Sequence, residues 1–131
     1  MAAQPPHILL VDDEPAIRLT LSALLKRTGY SVVAAATGEE ALALLDVRAY
    51  DLVLLDLIMP GIGGLDLARE TQRRLPDTAI LVLTGSDALE DVSRSGFDYI
   101  LKTASPQDVL ARVAAVLAAR RSRAVGDAGR Q

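Results

Sequence analysis

The sequence contains no cysteine. Disulfide frameworks, thiolate metal sites and cysteine nucleophiles are therefore excluded, and a reducing, cytoplasmic setting fits. Basic charge is not in excess: 14 Lys and Arg stand against 17 Asp and Glu, a formal net charge of −3. Without a basic field there is little to hold nucleic acid by counterion release, so no direct nucleic-acid binding is expected. Long hydrophobic runs are missing too. Every apolar stretch is far shorter than the roughly 20 residues a membrane helix needs. Residues 1–7 lack a basic region followed by an apolar run, so neither a signal peptide nor membrane attachment is expected. What is present is a chain of 131 residues, 50% hydrophobic. That is enough for one core without covalent staples and too little for two domains.

Short apolar runs alternate with segments of helical period. His7-Ile8-Leu9-Leu10-Val11 is continuous and ends at Asp12-Asp13, as suits a strand buried on both faces. Pro15 fits a first helical turn, Ile17, Leu21, Leu24 and Leu25 form a helical stripe, and Gly29 stops it. Residues 31–36 predict a second, weaker strand. Thr37 and Glu40 have the spacing of a capping box, opening a helix with Ala41, Leu44 and Leu45 on its apolar face. Residues 51–55 predict a third strand ending at Asp56. A glycine-rich loop and a helix over 65–75 follow. Residues 79–83 predict a fourth strand ending at Thr84-Gly85. A short helix over about 88–95 stops at Gly96. Residues 99–101 predict a fifth strand ending at Lys102. Ser105 and Pro106 then open a last helix with Val109, Val113, Val116 and Leu117 inward. After Arg120 the composition turns polar. The expected division is a domain over 1–120 and a polar C-terminal tail or linker start over 121–131.

Five β-α repeats imply a parallel sheet with helices on both faces, and right-handed crossovers leave few topologies. One of them is the open doubly wound sheet with strand order 2-1-3-4-5. In that order strands 1 and 3 flank the crevice beyond the carboxyl ends of the strands. Asp12, Asp13 and Asp56 would converge there, with the Thr84 hydroxyl and the Lys102 ammonium on the far side. Clustered carboxylates repel unless neutralised. A hard cation with oxygen ligands, Mg²⁺ before Ca²⁺, is the natural counterion. A carboxylate can also act as nucleophile toward phosphorus.

Taken together, Leu10-Val11-Asp12-Asp13-Glu14, Asp56-Leu57-Ile58-Met59-Pro60-Gly61, Thr84-Gly85, and Tyr99 three residues before Lys102 resemble the receiver domain of bacterial response regulators. The resemblance runs from about residue 7 to about residue 118. It implies a flavodoxin-like or CheY-like α/β fold, five-stranded, parallel and doubly wound with order 2-1-3-4-5. By position it makes Asp56 the phosphoacceptor. It assigns Mg²⁺ to Asp12, Asp13, Asp56 and the backbone carbonyl of Ile58. Thr84 and Lys102 would contact the phosphoryl oxygens, and Thr84 and Tyr99 would form the switch. The implied donor is a phosphohistidine on a sensor histidine kinase or a histidine phosphotransfer protein. The output is contact with an unidentified downstream target protein. Such a domain catalyses its own phosphotransfer and dephosphorylation and is not otherwise an enzyme. A stand-alone receiver is the first expectation, and the receiver module of a larger regulator the second.

Blander readings stand beside these. Asp13 alone would serve as a helix cap, Lys102 as a solvated lysine, Tyr99 as core or rim. His7, the single histidine, sits at the opposite end of strand 1 and reads as structural or solvent-facing. Gly61-Ile62-Gly63-Gly64 lacks the spacing and position of a nucleotide-binding loop. Phosphatases of the haloacid dehalogenase type need a second Asp two residues after the nucleophile, where this chain has Ile58. A pseudo-receiver, binding partners without phosphorylation, is opposed by the intact set of Asp12, Asp13, Asp56, Thr84 and Lys102.

The chain departs from the family pattern in three places. Thr103 follows Lys102 where a proline with a cis peptide is usual. A cis bond before a non-proline costs roughly 2.5–4 kcal/mol, so a trans bond is expected. The interval from Thr84 to Lys102 is short by about a helical turn, leaving only residues 86–95 for the fourth helix. The face that receivers commonly use to dimerise is thereby altered, and a monomer or weak dimer is expected. Gly63 replaces an acidic residue often found in the loop after the acceptor.

Overall fold

The computed structural model describes residues 4–128, with side chains described for residues 4–120. Its elements run β1 (His7–Val11), α1 (Pro15–Thr28), β2 (Ser31–Ala35), α2 (Gly38–Val47), β3 (Leu52–Asp56) and α3 (Gly64–Arg74). They continue with β4 (Ala79–Thr84), a 3-10 turn (Ser86–Ala88), α4 (Leu89–Ser95), β5 (Asp98–Leu101) and α5 (Pro106–Ala128). The five strands form one sheet of order β2-β1-β3-β4-β5, every pair parallel.

Strand side chains alternate between the two faces, and each face has its own core. Leu9, Val11, Val53, Leu55, Ile80 and Val82 pack with Ala41 and Leu45 of α2, Leu67 and Ala68 of α3, and Val92 of α4. Ile8, Leu10, Leu52, Leu54, Leu81 and Leu83 pack on the opposite face with Leu21 and Leu25 of α1 and four residues of α5. Burying one such side chain contributes about 1.5–3 kcal/mol, whereas helix propensities differ by at most ~0.7 kcal/mol among ordinary residues. Burial therefore decides the arrangement. A one-residue slip of β3 would exchange its two apolar faces. It would also carry Asp56 away from the carboxyl edge of the sheet.

The helix ends show how local sequence sets direction. Gly29 closes α1 with φ of 114°, a conformation glycine adopts without strain. Thr37 accepts a hydrogen bond from the Glu40 amide at 3.1 Å. Glu40, however, reaches the Ala36 amide at 3.3 Å rather than that of Thr37, so the capping box is only half formed. The short fourth helix is present as expected, with Val92 its one fully buried residue. No side-chain cap stands at its N-terminus, and Gly96, φ 85°, ends it.

The polar composition after Arg120 predicted a tail, but α5 continues through Ala128. Residues 118–125 contain neither proline nor glycine. The later Gly126 costs a helix only about 1 kcal/mol. Of the tail expected over 121–131, residues 129–131 lie outside the described residues. At the amino edge of the sheet Arg120 ties α5 down. It donates to Asp51 Oδ1 at 2.9 Å and to the Asp77 carbonyl. His7 lies at this same edge. Its Nδ1 is 2.8 Å from an Arg48 guanidinium nitrogen, in keeping with a structural role.

Candidate functional site

Val11 and Leu55 are register partners in the β1–β3 pair, so the residues that follow them, Asp12 and Asp56, emerge side by side at the carboxyl edge. Asp13 completes a triad in which one carboxylate oxygen from each residue lies within 4.8 Å of the others. Asp12 is 0% and Asp56 2% exposed, so two of these charges are removed from water. Asp12 Oδ1 accepts from the Glu14 amide at 2.9 Å, while its Oδ2 is buried with no hydrogen-bond partner among the described residues. Asp56 Oδ1 accepts from the Ile58 amide at 3.2 Å, and Asp56 Oδ2 accepts from Lys102 Nζ at 2.7 Å.

Burial pushes the Asp12 carboxyl above its ordinary range, and the neighbouring Asp56 charge adds to the shift despite the Glu14 amide. Burial also raises Asp56, against the opposing pull of Lys102 and the Ile58 amide. For Lys102, burial disfavours the charged form. The hydrogen bond to Asp56 and the surrounding carboxylates outweigh it, so its pKa rises. Three ionised carboxylates against one ammonium leave two negative charges in a small space. An unpartnered buried oxygen and an all-oxygen donor set fit a hard divalent cation, and a small one that keeps several waters fits best. These residues therefore suit Mg²⁺.

The structure brings Asp12, Asp13, Asp56 and Lys102 together. Asp13 is not a helix cap: Glu14 occupies the N-cap position of α1. Thr84 is fully buried at the end of β4, beside Leu83, the register partner of Asp56. Its hydroxyl donates to the Gly85 carbonyl at 3.0 Å. Tyr99 is half-buried on β5, opposite Val82, and packs on the core beneath α3 and α4 with Leu89 and Phe97. Ile58 is 64% exposed, so only its backbone belongs to the site. No cis peptide occurs among the described residues, so the Lys102–Thr103 bond is trans. Lys102 nevertheless reaches Asp56.

Sequence reasoning did not single out two residues here. Glu14 Oε1 lies 3.3 Å from Lys102 Nζ, and Arg18 donates to the Asp12 carbonyl at 2.7 Å. Three consecutive acids were the available signal for Glu14. Nothing in the spacing of Arg18 pointed to a backbone carbonyl six residues earlier.

Behind Asp56 the backbone is crowded. A Cβ on Gly64 would overlap the Asp56 carbonyl and approach Leu57 Cα to 2.6 Å. Gly64→Ala must therefore shift β3 or α3, and overpacking of this kind costs about 1–3 kcal/mol. We expect Gly64→Ala to lose about 2 kcal/mol in urea unfolding. Gly63→Ala, where a Cβ meets nothing within 4 Å, should stay near the parent. Equal stabilities of the two variants would contradict the crowding.

Comparison with known proteins agrees with this geometry. The family model described as the response regulator receiver domain matches residues 8–114. The protein PetR of Rhodobacter capsulatus is 36% identical over 121 residues, covering 89% of this chain and 51% of that protein. The transcriptional regulatory protein ResD of Bacillus subtilis is 41% identical over 116 residues, covering 84% of this chain and 47% of its own length. The chain thus spans about half the length of the curated relatives it matches. Among solved structures, a CheY-like receiver domain protein of Methanospirillum hungatei superposes with a TM-score of 0.85 at 30% identity, covering 91% of this chain and 98% of that one. The response regulator TrrA of Thermotoga maritima, solved in complex with Mg²⁺ and BeF, gives a TM-score of 0.78 at 38% identity, covering 85% and 98%. With the acidic triad, the lysine and the sheet order all in place, the chain belongs to the response regulator receiver domain family.

Proposed function

We propose that this chain is a phosphorylation-dependent signalling switch that accepts one phosphoryl group on Asp56. The observation that carries this reading is the Lys102–Asp56 contact of 2.7 Å inside a triad with an unpartnered oxygen. An oxygen of Asp56 attacks phosphorus in line with the phosphorus–nitrogen bond of a phosphohistidine. The new oxygen–phosphorus bond forms as that bond breaks. The electron pair leaves on the imidazole nitrogen, giving an acyl phosphate. Such transfer depends on positioning and charge neutralisation. Mg²⁺, held by Asp12, Asp13, Asp56 and the Ile58 carbonyl, supplies that neutralisation when bound. Lys102 passes from Asp56 to a phosphoryl oxygen, and the Thr84 hydroxyl leaves the Gly85 carbonyl to donate to another. Donors of matching chemistry are a sensor histidine kinase or a histidine phosphotransfer protein. Both a stand-alone receiver and a module of a longer regulator use this switch, and the target is a protein in either case. Incubation with Mg²⁺ and acetyl phosphate should add one phosphoryl group by intact mass, and hydroxylamine should remove it. A parent protein that stays unmodified would overturn the proposal.

Thr84 and Tyr99 are the residues that carry the signal outward, toward α4 and β5. Coupling needs an element with two states that the phosphoryl group can bias. Helix α4 has seven residues, too few to be stable without packing. We expect the amides of residues 86–95 to exchange faster than those of β1, β3 and β4, and to slow when beryllofluoride is added with Mg²⁺. Strong protection in both states, or a tight dimer through α4 after activation, would contradict this, because a dimer through that face should be weak or absent.

A further inference from the structure

The β3–α3 loop, residues 57–63, is anchored at both ends. The Leu57 amide donates to the Leu83 carbonyl and the Gly64 amide to the Leu57 carbonyl, both at 2.9 Å. Buried Met59 holds its middle from below. Among the described residues, one hydrogen bond ties its far side to another element: the Ile62 amide donates to Glu39 Oε1 on α2 at 2.9 Å. The surroundings are shaped to this contact. A Cβ on Gly38 would overlap the Ile62 side chain, and a Cβ on Gly61 would meet Glu39 Oε1 at 2.6 Å. Gly61 also sits at φ 79°, which lets the chain turn toward α2. The Ile62 amide holds the Glu39 carboxyl below its usual range, so this acceptor is charged at neutral pH.

We propose that Glu39 is a positioning residue for the metal site. It fixes the 57–63 loop against the start of α2, so that the Ile58 backbone is set beside Asp56 before any cation arrives. The inference rests on the proposed Mg²⁺ site and adds to it a residue on a different helix. It predicts that the acceptor function of Glu39, more than its charge, tunes cation affinity. Preordering a loop lowers the ordering cost of binding.

The test uses Mg²⁺ alone, titrated by amide chemical shifts on the parent, Glu39→Ala, Glu39→Gln and Glu40→Ala. One hydrogen bond is worth up to about tenfold in an equilibrium constant. We expect Glu39→Ala to bind Mg²⁺ roughly fivefold more weakly, with faster exchange at the Ile62 amide. Glu39→Gln keeps an acceptor and should stay within about twofold of the parent. Glu40→Ala removes a neighbouring charge whose one side-chain hydrogen bond among the described residues is from the Ala36 amide, and should leave binding unchanged. Equal weakening in Glu39→Ala and Glu39→Gln would assign the effect to charge and overturn the proposal. Unchanged affinity in Glu39→Ala would overturn it too, while the parent's own binding keeps the metal site standing. A parent that binds no Mg²⁺ removes the metal site and this inference together.

Discussion

Asp56→Asn is expected to abolish phosphoryl uptake from acetyl phosphate, a fall of at least about 100-fold, while the protein stays folded. An amide nitrogen or oxygen at this position is a far poorer nucleophile toward phosphorus than a carboxylate. The substitution conserves volume in a site that is 2% exposed. It keeps an oxygen for the Ile58 amide, 3.2 Å away. Lys102 loses its ion pair but retains Glu14 at 3.3 Å. Two other carboxylates lie within 4.8 Å of that of Asp56, so labelling at the wrong residue is the real rival. Asp13 is the more open of the two, since Asp12 is fully buried. Intact-mass analysis of Asp56→Asn beside Asp13→Asn separates the cases. Asp13→Asn should slow labelling through weaker cation binding, yet leave the label on Asp56. Full labelling that survives Asp56→Asn would sink the assignment of the acceptor.

The sequence carried the sheet well because its signal is short-ranged. The run His7 to Val11 and the run ending at Asp56 are each apolar on both faces, a pattern that suits a parallel, doubly covered strand. Four strand ends bore polar residues, and sheet order then placed three carboxylates together. What remained hidden depended on distant partners. Glu39 was not singled out in the sequence; it lies in the first turn of α2, yet it holds an amide 23 positions away. Glu14 read as a third acid in a run, yet it shares Lys102 across 88 positions. Neither distance leaves a periodicity. The continuation of α5 to Ala128 was missed for a different reason. Polar composition alone does not end a helix; helices end at caps and breakers, and Arg120 to Ala124 supply none. The capping box at Thr37 shows the same limit from the other side: the spacing was right, and Glu40 still chose the Ala36 amide.

Asp12→Asn should stabilise the metal-free protein by about 1–2 kcal/mol while weakening Mg²⁺ binding by more than about tenfold. Both numbers follow from one buried charge. In the folded protein the Asp12 carboxyl is raised above its ordinary value of 3.8, chiefly by burial, and Asp56 is raised likewise. An acid raised on folding binds protons more tightly in the folded state. Its favourable contribution is complete below pH ~3.8 and is lost as pH rises through the raised folded value. At neutral pH the two carboxylates therefore act against the fold. Lys102, raised above 10.5, keeps its contribution across this range and loses it only at higher pH. Asparagine at position 12 retains an oxygen for the Glu14 amide, 2.9 Å away. It leaves an NH₂ where Oδ2 has no partner, at a cost of about 1 kcal/mol that trims the gain. Added Mg²⁺ should stabilise the parent, since a ligand of the folded state raises stability by mass action, and should do so far less in the variant. Urea unfolding between pH 4 and 8, with Mg²⁺ and with a chelator, reads all of this. The parent should lose stability with rising pH in chelator, and Asp12→Asn should flatten that slope. A variant that is less stable than the parent by several kcal/mol at neutral pH would show that Asp12 holds the β1–α1 turn together. Its charge would then not be held in reserve for a cation.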